Sequence, residues 1–193
     1  MKFILIAIIS YLIGNISFAY ILGKLFEKKD VREYGSGNAG ATNALRTFGK
    51  KIGAMVLVGD ALKGVAAVLI GRQLGGQEGA YVAGALVIIG HNWPVLLKFR
   101  GGKGVATTIG VMIIINPFLT SICAVLGIII IIFTKTVSFG SIIGMALAPI
   151  CAVIFVRPFD LQLFIFCLFI AGMSIFRHKS NIKRLLEGKE NKL

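Results

Sequence analysis

The chain has 193 residues, 56% hydrophobic and 15% charged, with 21 Lys and Arg against 8 Asp and Glu and a formal net charge of +13. Soluble domains are usually about half apolar and about a quarter charged, and here the apolar excess lies in long blocks, which read as membrane spans rather than one large core. The basic residues cluster beside those blocks, a pattern that favours cytoplasmic anchoring and argues against nucleic acid as a partner.

The first apolar run follows Met1-Lys2 and continues to Phe26 without an obvious small-residue cleavage site, so it reads as a retained span rather than a signal peptide. Further apolar runs cover 52–70, 79–97, 105–133, 137–156 and 159–176. A span takes about 20 residues. The run at 105–133 is too long for one comfortable helix, and Asn116-Pro117 interrupts it. Proline disfavours helical geometry at Asn116 and suits the first turn of a new helix.

Charge decides between one crossing and two in that run. Lys28, Lys29, Arg32, Arg46, Lys50 and Lys51 lie in loop 27–51, Lys98, Arg100 and Lys103 in loop 98–104, and Arg177, Lys179, Lys183, Arg184, Lys189 and Lys192 in the tail. The intervening segments 71–78 and 157–160 hold only Arg72 and Arg157, each accompanied by an acid. Two crossings bring all three basic segments to one face, which the positive-inside rule makes cytoplasmic. The expected architecture is an all-α integral membrane protein of seven transmembrane helices, one of them short, with the N-terminus outside and the C-terminus cytoplasmic. Residues 1–193 then form a single polytopic membrane domain, with cytoplasmic loops at about 27–51, 98–104 and 134–136 and a tail at 177–193. Cys123, Cys151 and Cys167 lie inside apolar runs without CxxC spacing and read as buried free thiols.

This topology gathers four polar segments on one side. Gly35-Ser36-Gly37-Asn38-Ala39-Gly40-Ala41-Thr42-Asn43 crowds glycine amides, hydroxyls and side-chain amides beside Arg46, a composition suited to wrapping a phosphate. Its Gly-x-Gly-x-x-Gly spacing matches a dinucleotide fingerprint only formally, since no strand precedes it. Gly101-Gly102-Lys103-Gly104 is no Walker loop, because no Ser or Thr follows the lysine. A lysine among glycines at a helix start still suits an anion, and equally suits a tight topogenic turn. Asp60 and Lys63 share a helix face within a span, where they either neutralise each other or let Lys63 reach the cytoplasmic side. His91, in His91-Asn92-Trp93-Pro94, reads as a packing histidine near the cytoplasmic end. His178 and Asn181 share one face of a tail helix, and Ser138 and Ser141 either donate hydroxyls or cap the sixth span. The GxSxG elbow, HExxH, the HxxxxD signature of thioester-using glycerolipid acyltransferases and the paired aspartates of membrane CDP-alcohol transferases are all missing from the sequence.

GSGNAGATN at 35–43, Arg46, Asp60-x-x-Lys63-Gly64, Gly90-His91, FRGGKGVAT at 99–107, VSFGS at 137–141 and His178-x-x-Asn181 leading into IKRLLEGKE resemble the bacterial acyl-phosphate:glycerol-3-phosphate acyltransferase family, PlsY, nearly end to end. The resemblance implies an inner-membrane enzyme of phospholipid synthesis that makes 1-acylglycerol 3-phosphate. Its substrates would be acyl phosphate and glycerol 3-phosphate, with no separate cofactor and no metal, and a soluble acyl-phosphate synthase would supply the donor. On that reading the catalytic residues are Ser36, Arg46, Lys103, His178 and Asn181. The substrate-binding set is Gly35, Gly37, Asn38, Gly40, Thr42, Asn43, Lys63, His91, Gly102, Gly104, Ser138 and Ser141. Acyl phosphate is an activated mixed anhydride, so the missing nucleophile elbow fits direct attack by a substrate hydroxyl, with His178 or the donor's phosphate accepting the proton. An organic-phosphate carrier and a phosphotransferase stand as rivals. The first is opposed by the one-sided gathering of ionisable residues, the second by the absence of metal-ligand motifs.

Overall fold

The computed structural model describes residues 1–192, which are helical and connecting segments with no strand among them. The chain packs as two compact units, Met1–Ile115 and Asn116–Leu193.

In the first unit, α1 (Lys2–Asn15) and α2 (Phe18–Glu27) come from one apolar run that breaks at Ile16-Ser17. Ile16 is extended, and the Ser17 hydroxyl caps α2 by accepting from the Tyr20 amide. A 3-10 turn (Val31–Glu33) and α3 (Ala41–Phe48) follow, the latter inside a stretch that the sequence presents only as a loop. α4 (Lys50–Asn92) contains a reversal at Gly76, whose φ of 66° is open to glycine and strained for other residues. Lys63 and His91 would stand roughly 40 Å apart on a straight helix. Their side chains instead lie 2.9 Å apart, because the two arms fold back on each other with Gly71 against Gly79. A second 3-10 turn (Val95–Leu97) leads to α5 (Val105–Ile115).

Small residues let these helices approach closely, the packing mode of membrane bundles. A Cβ at Gly14 would strike the Val87 carbonyl, and one at Gly110 would strike that of Ala61.

The second unit contains α6 (Pro117–Thr134), α7 (Val137–Ala146), α8 (Ala148–Phe155), α9 (Leu161–Arg177) and α10 (Lys179–Leu186). Asn116 is extended and accepts from the Leu119 amide at 2.9 Å, so the Asn-Pro pair starts α6 as expected. α6 exposes Val125, Ile128, Ile132 and Phe133, a face suited to lipid. A Cβ at Gly140 would strike the Gly127 carbonyl where α6 and α7 pack. α7 and α8 are bent by 41°, and α9 and α10 by 63° at His178. Cys123, Cys151 and Cys167 are free thiols, the last two buried.

By length and apolarity three helical stretches can cross a membrane, Lys2–Glu27, Lys50–Leu97 and Pro117–Thr134, and the two bent pairs raise the count to five. Seven is reached only by counting the arms of α4 separately and including α5, which has 11 residues.

Candidate functional site

The glycine loop is closed from within by Asn43, which is 3% exposed. Its Nδ2 donates to the carbonyls of Val31, Tyr34 and Asn38, each at 3.0 Å, and its Oδ1 accepts from the Ser36 amide at 2.9 Å. Gly35 and Gly37 have φ of 58° and 72°, and a Cβ on Gly35 would collide with Asn43 Oδ1. Asn43, assigned to substrate from the sequence, therefore uses its side chain to shape the loop. Ser36 is exposed, and its hydroxyl accepts from Asn38 Nδ2 at 3.2 Å. Gly40 begins α3 in extended conformation with open space around it, Thr42 lies in the first turn, and Arg46 is exposed farther along the same helix.

The second glycine loop lies on the end of α4. The Gly102 amide donates to the His91 carbonyl at 3.2 Å. A Cβ at Gly102 would strike His91 Nε2 and approach the Ala39 carbonyl oxygen at 3.0 Å. The two glycine loops therefore share a wall with the His91 ring. Lys103 is partly exposed, and Gly104 turns the chain into α5 with φ of 81°. Asn92 is fully buried beside Gly104, and its amide atoms have no hydrogen-bond partner among the described residues. Sequence reasoning missed Asn92; its position beside His91 in a polar tetrad was the available signal.

Lys63 lies beneath this wall, with its side chain 3% exposed. Its ammonium is 2.8 Å from Asp60 Oδ1, 2.6 Å from the Ile16 carbonyl, 3.2 Å from the Gly14 carbonyl and 2.9 Å from His91 Nδ1. Arg32, read only as a topogenic charge, pairs with Asp30 at 2.7 Å and donates from Nη1 to the Leu97 carbonyl at 3.0 Å. The Arg32 guanidinium holds the Asp30 carboxyl below its ordinary value, against the opposing effect of burial.

In the second unit, His178 sits at the α9–α10 elbow and is 2% exposed. Its Nδ1 is 2.8 Å from the Ser174 carbonyl oxygen. A carbonyl only accepts, so in the neutral ring Nδ1 carries the proton and Nε2 is the basic nitrogen. Glu190 Oε1 accepts from Asn181 Nδ2 at 2.6 Å and from Ser138 Oγ at 3.0 Å, and Oε2 accepts from Arg184 Nε at 2.7 Å. Burial pushes the Glu190 carboxyl up, but these three donors outweigh it and hold the group below the ordinary glutamate value. Sequence reasoning placed Asn181 and Ser138 in the site and missed the acid that joins them. Ser141 turns back to the Val137 carbonyl at 2.9 Å. Among the described residues no three His, Cys, Asp or Glu side chains gather as a metal site.

A glycerol-3-phosphate acyltransferase family profile matches residues 4–188. A glycerol-3-phosphate acyltransferase of Thermoanaerobacter pseudethanolicus is 54% identical over 190 residues, covering 98% of this chain and 95% of the relative. That of Clostridioides difficile is 46% identical over 198 residues, covering 100% and 96%. Among solved structures, the glycerol 3-phosphate form of PlsY, an integral membrane glycerol 3-phosphate acyltransferase, aligns with a TM-score of 0.92 at 34% identity, covering 100% of this chain and 96% of that one. The lysophosphatidic acid form aligns at 0.89 and 33%, with the same coverage.

Proposed function

The chain belongs to the glycerol-3-phosphate acyltransferase family, and from that premise we propose that it transfers an acyl group from acyl phosphate to the sn-1 hydroxyl of glycerol 3-phosphate, yielding 1-acylglycerol 3-phosphate and inorganic phosphate. It works in the bacterial inner membrane as a seven-span protein, with its N-terminus outside and its active site at the cytoplasmic face. A soluble acyl-phosphate synthase supplies the donor.

The substrate hydroxyl attacks the acyl carbonyl carbon directly. An ester C–O bond forms, the bond from the acyl carbon to the phosphate oxygen breaks, and inorganic phosphate leaves. Both substrates carry phosphate groups, so catalysis rests on positioning and charge compensation. The amides of Gly35, Gly40 and Gly104, with Ser36, Asn38, Thr42 and Lys103, receive the phosphates, while Gly37 and Gly102, whose amides donate to the Tyr34 and His91 carbonyls, line the pocket and hold the two loops in shape. Arg46 grips glycerol phosphate through its planar guanidinium. Asn43 takes part through the loop it closes. His178 Nε2 receives the hydroxyl proton directly, or orients the hydroxyl toward the donor's phosphate. Asn181 aligns that group, with Ser138 and Ser141 beside the acyl end, and the chain of the donor lies along the apolar faces of 137–156.

The observation that carries this reading is the contact of Gly102 with both the His91 ring and the Ala39 carbonyl, which joins two phosphate-suited loops at a basic end of the first unit. The test mixes purified protein with palmitoyl phosphate and labelled glycerol 3-phosphate in the presence of a chelator. Labelled lysophosphatidate is expected. Movement of glycerol 3-phosphate into sealed vesicles without product would support the carrier instead.

A further inference from the structure

Lys63 and His91 lie behind the second glycine loop, and no step of the proposed transfer uses them. Lys63 has three N–H bonds and three oxygen acceptors around it, Asp60 Oδ1 and the Gly14 and Ile16 carbonyls, with His91 Nδ1 as a fourth polar neighbour. The two carbonyls belong to the break between α1 and α2, where the helix's own donors run out. His91 Nδ1 lies 2.9 Å from the ammonium and 3.5 Å from Asp60 Oδ1, and these contacts fix the ring. The other edge of that ring lies under Gly102, where a single added carbon would collide with Nε2. One buried cation thus links a helix break, both arms of α4 and the floor of the glycine loop. A buried ion pair is a poor source of stability compared with an apolar plug of the same shape. Its distinctive contribution is to fix one arrangement.

We propose that Lys63 is a positioning residue, which holds the His91 ring beneath Gly102 and so sets the loop that receives the phosphate of glycerol 3-phosphate. This rests on the reading of Gly101–Gly104 as a phosphate loop. Glycerol 3-phosphate, having no acyl chain to hold it in the bilayer, depends on such charged and polar contacts more than the donor does.

The experiment measures kcat, KM for glycerol 3-phosphate, calorimetric binding of glycerol 3-phosphate, and the thermal unfolding midpoint. The variants are His91→Asn, which keeps an acceptor near Nδ1 but empties the space under Gly102, His91→Gln, and the neutral pair Asp60→Asn with Lys63→Met. His91→Asn is expected to raise KM at least tenfold, with an unfolding midpoint within a few degrees of the parent. Combining it with the neutral pair should raise KM no further than the worse of the two alone, because both cut the same connection. A KM within twofold of the parent in folded His91→Asn overturns the proposal, as do effects that multiply. Should the neutral pair fail to fold, His91→Gln decides. It keeps an atom near the Nε2 position and should show a KM at least threefold below that of His91→Asn; equal values overturn the proposal. If the parent binds glycerol 3-phosphate but does not turn over palmitoyl phosphate, the donor assignment falls, and loss of binding in His91→Asn still supports the positioning role.

Discussion

Asn43 accepts one hydrogen bond and donates to three carbonyls within the glycine loop. Replacing it with alanine leaves buried backbone groups without partners, at about 1–3 kcal/mol for each that water does not reach. Asn43→Ala is expected to lower both the unfolding midpoint and kcat/KM, whereas Thr42→Ala, one residue nearer the start of α3, should spare the midpoint. At the charged positions, Arg46→Lys keeps charge and loses the planar fork, so kcat/KM should fall by about 10²-fold, and Lys103→Ala by a similar factor. Steady-state kinetics on purified protein checks both, and near-normal turnover in the two variants contradicts the charge clamp. The chemical identity of these residues was legible in the sequence because glycine, amide and cation crowd within a few positions. The inward role of Asn43 was not, because a side chain's direction depends on how the loop closes around it. Asn92 and Glu190 were missed for the same reason: each is defined by neighbours distant in sequence.

Elements α7 and α10 are joined through Glu190, which accepts from Ser138 at the start of one and from Asn181 and Arg184 in the other. The folded-state carboxyl titrates below its ordinary value of 4.5. The sign follows from linkage: the stabilisation is complete above the unfolded value and is lost as pH falls through the lower folded value. Unfolding midpoints measured in detergent should therefore be flat through neutral pH and drop on the acid side of about 4.5. Glu190→Gln should shift the neutral-pH midpoint down and remove part of that acid dependence. The turn within α4 gives a second check. Gly76 has room for a Cβ, but its φ of 66° and ψ of −152° lie in a region essentially confined to glycine, so Gly76→Ala should cost about 1–3 kcal/mol of stability through backbone strain. Apolar runs and the Asn116-Pro117 interruption revealed most helices in advance. α3 stayed hidden because its eight residues are too few and too polar to stand out beside the spans.

For the whole molecule, the charge distribution predicts that the glycine loop and the tail share the cytoplasmic side. In a cysteine-free background, exposed positions 36 and 180 should react with a membrane-impermeant thiol reagent from that side, and position 77 from the other. Length and apolarity account for up to five spans; the proposed seven counts the two arms of α4 separately and adds the short α5. The central chemical claim is attack of the sn-1 hydroxyl oxygen on an acyl carbon supplied by acyl phosphate, and isotope tracing tests it most closely. Glycerol 3-phosphate carrying oxygen-18 at the sn-1 hydroxyl is incubated with palmitoyl phosphate and the protein, and the products are weighed by mass spectrometry. One lysophosphatidate should form for each phosphate released, with the label retained in the new ester. Label in the released phosphate, or lysophosphatidate formed only when a thioester donor replaces palmitoyl phosphate, would contradict that claim.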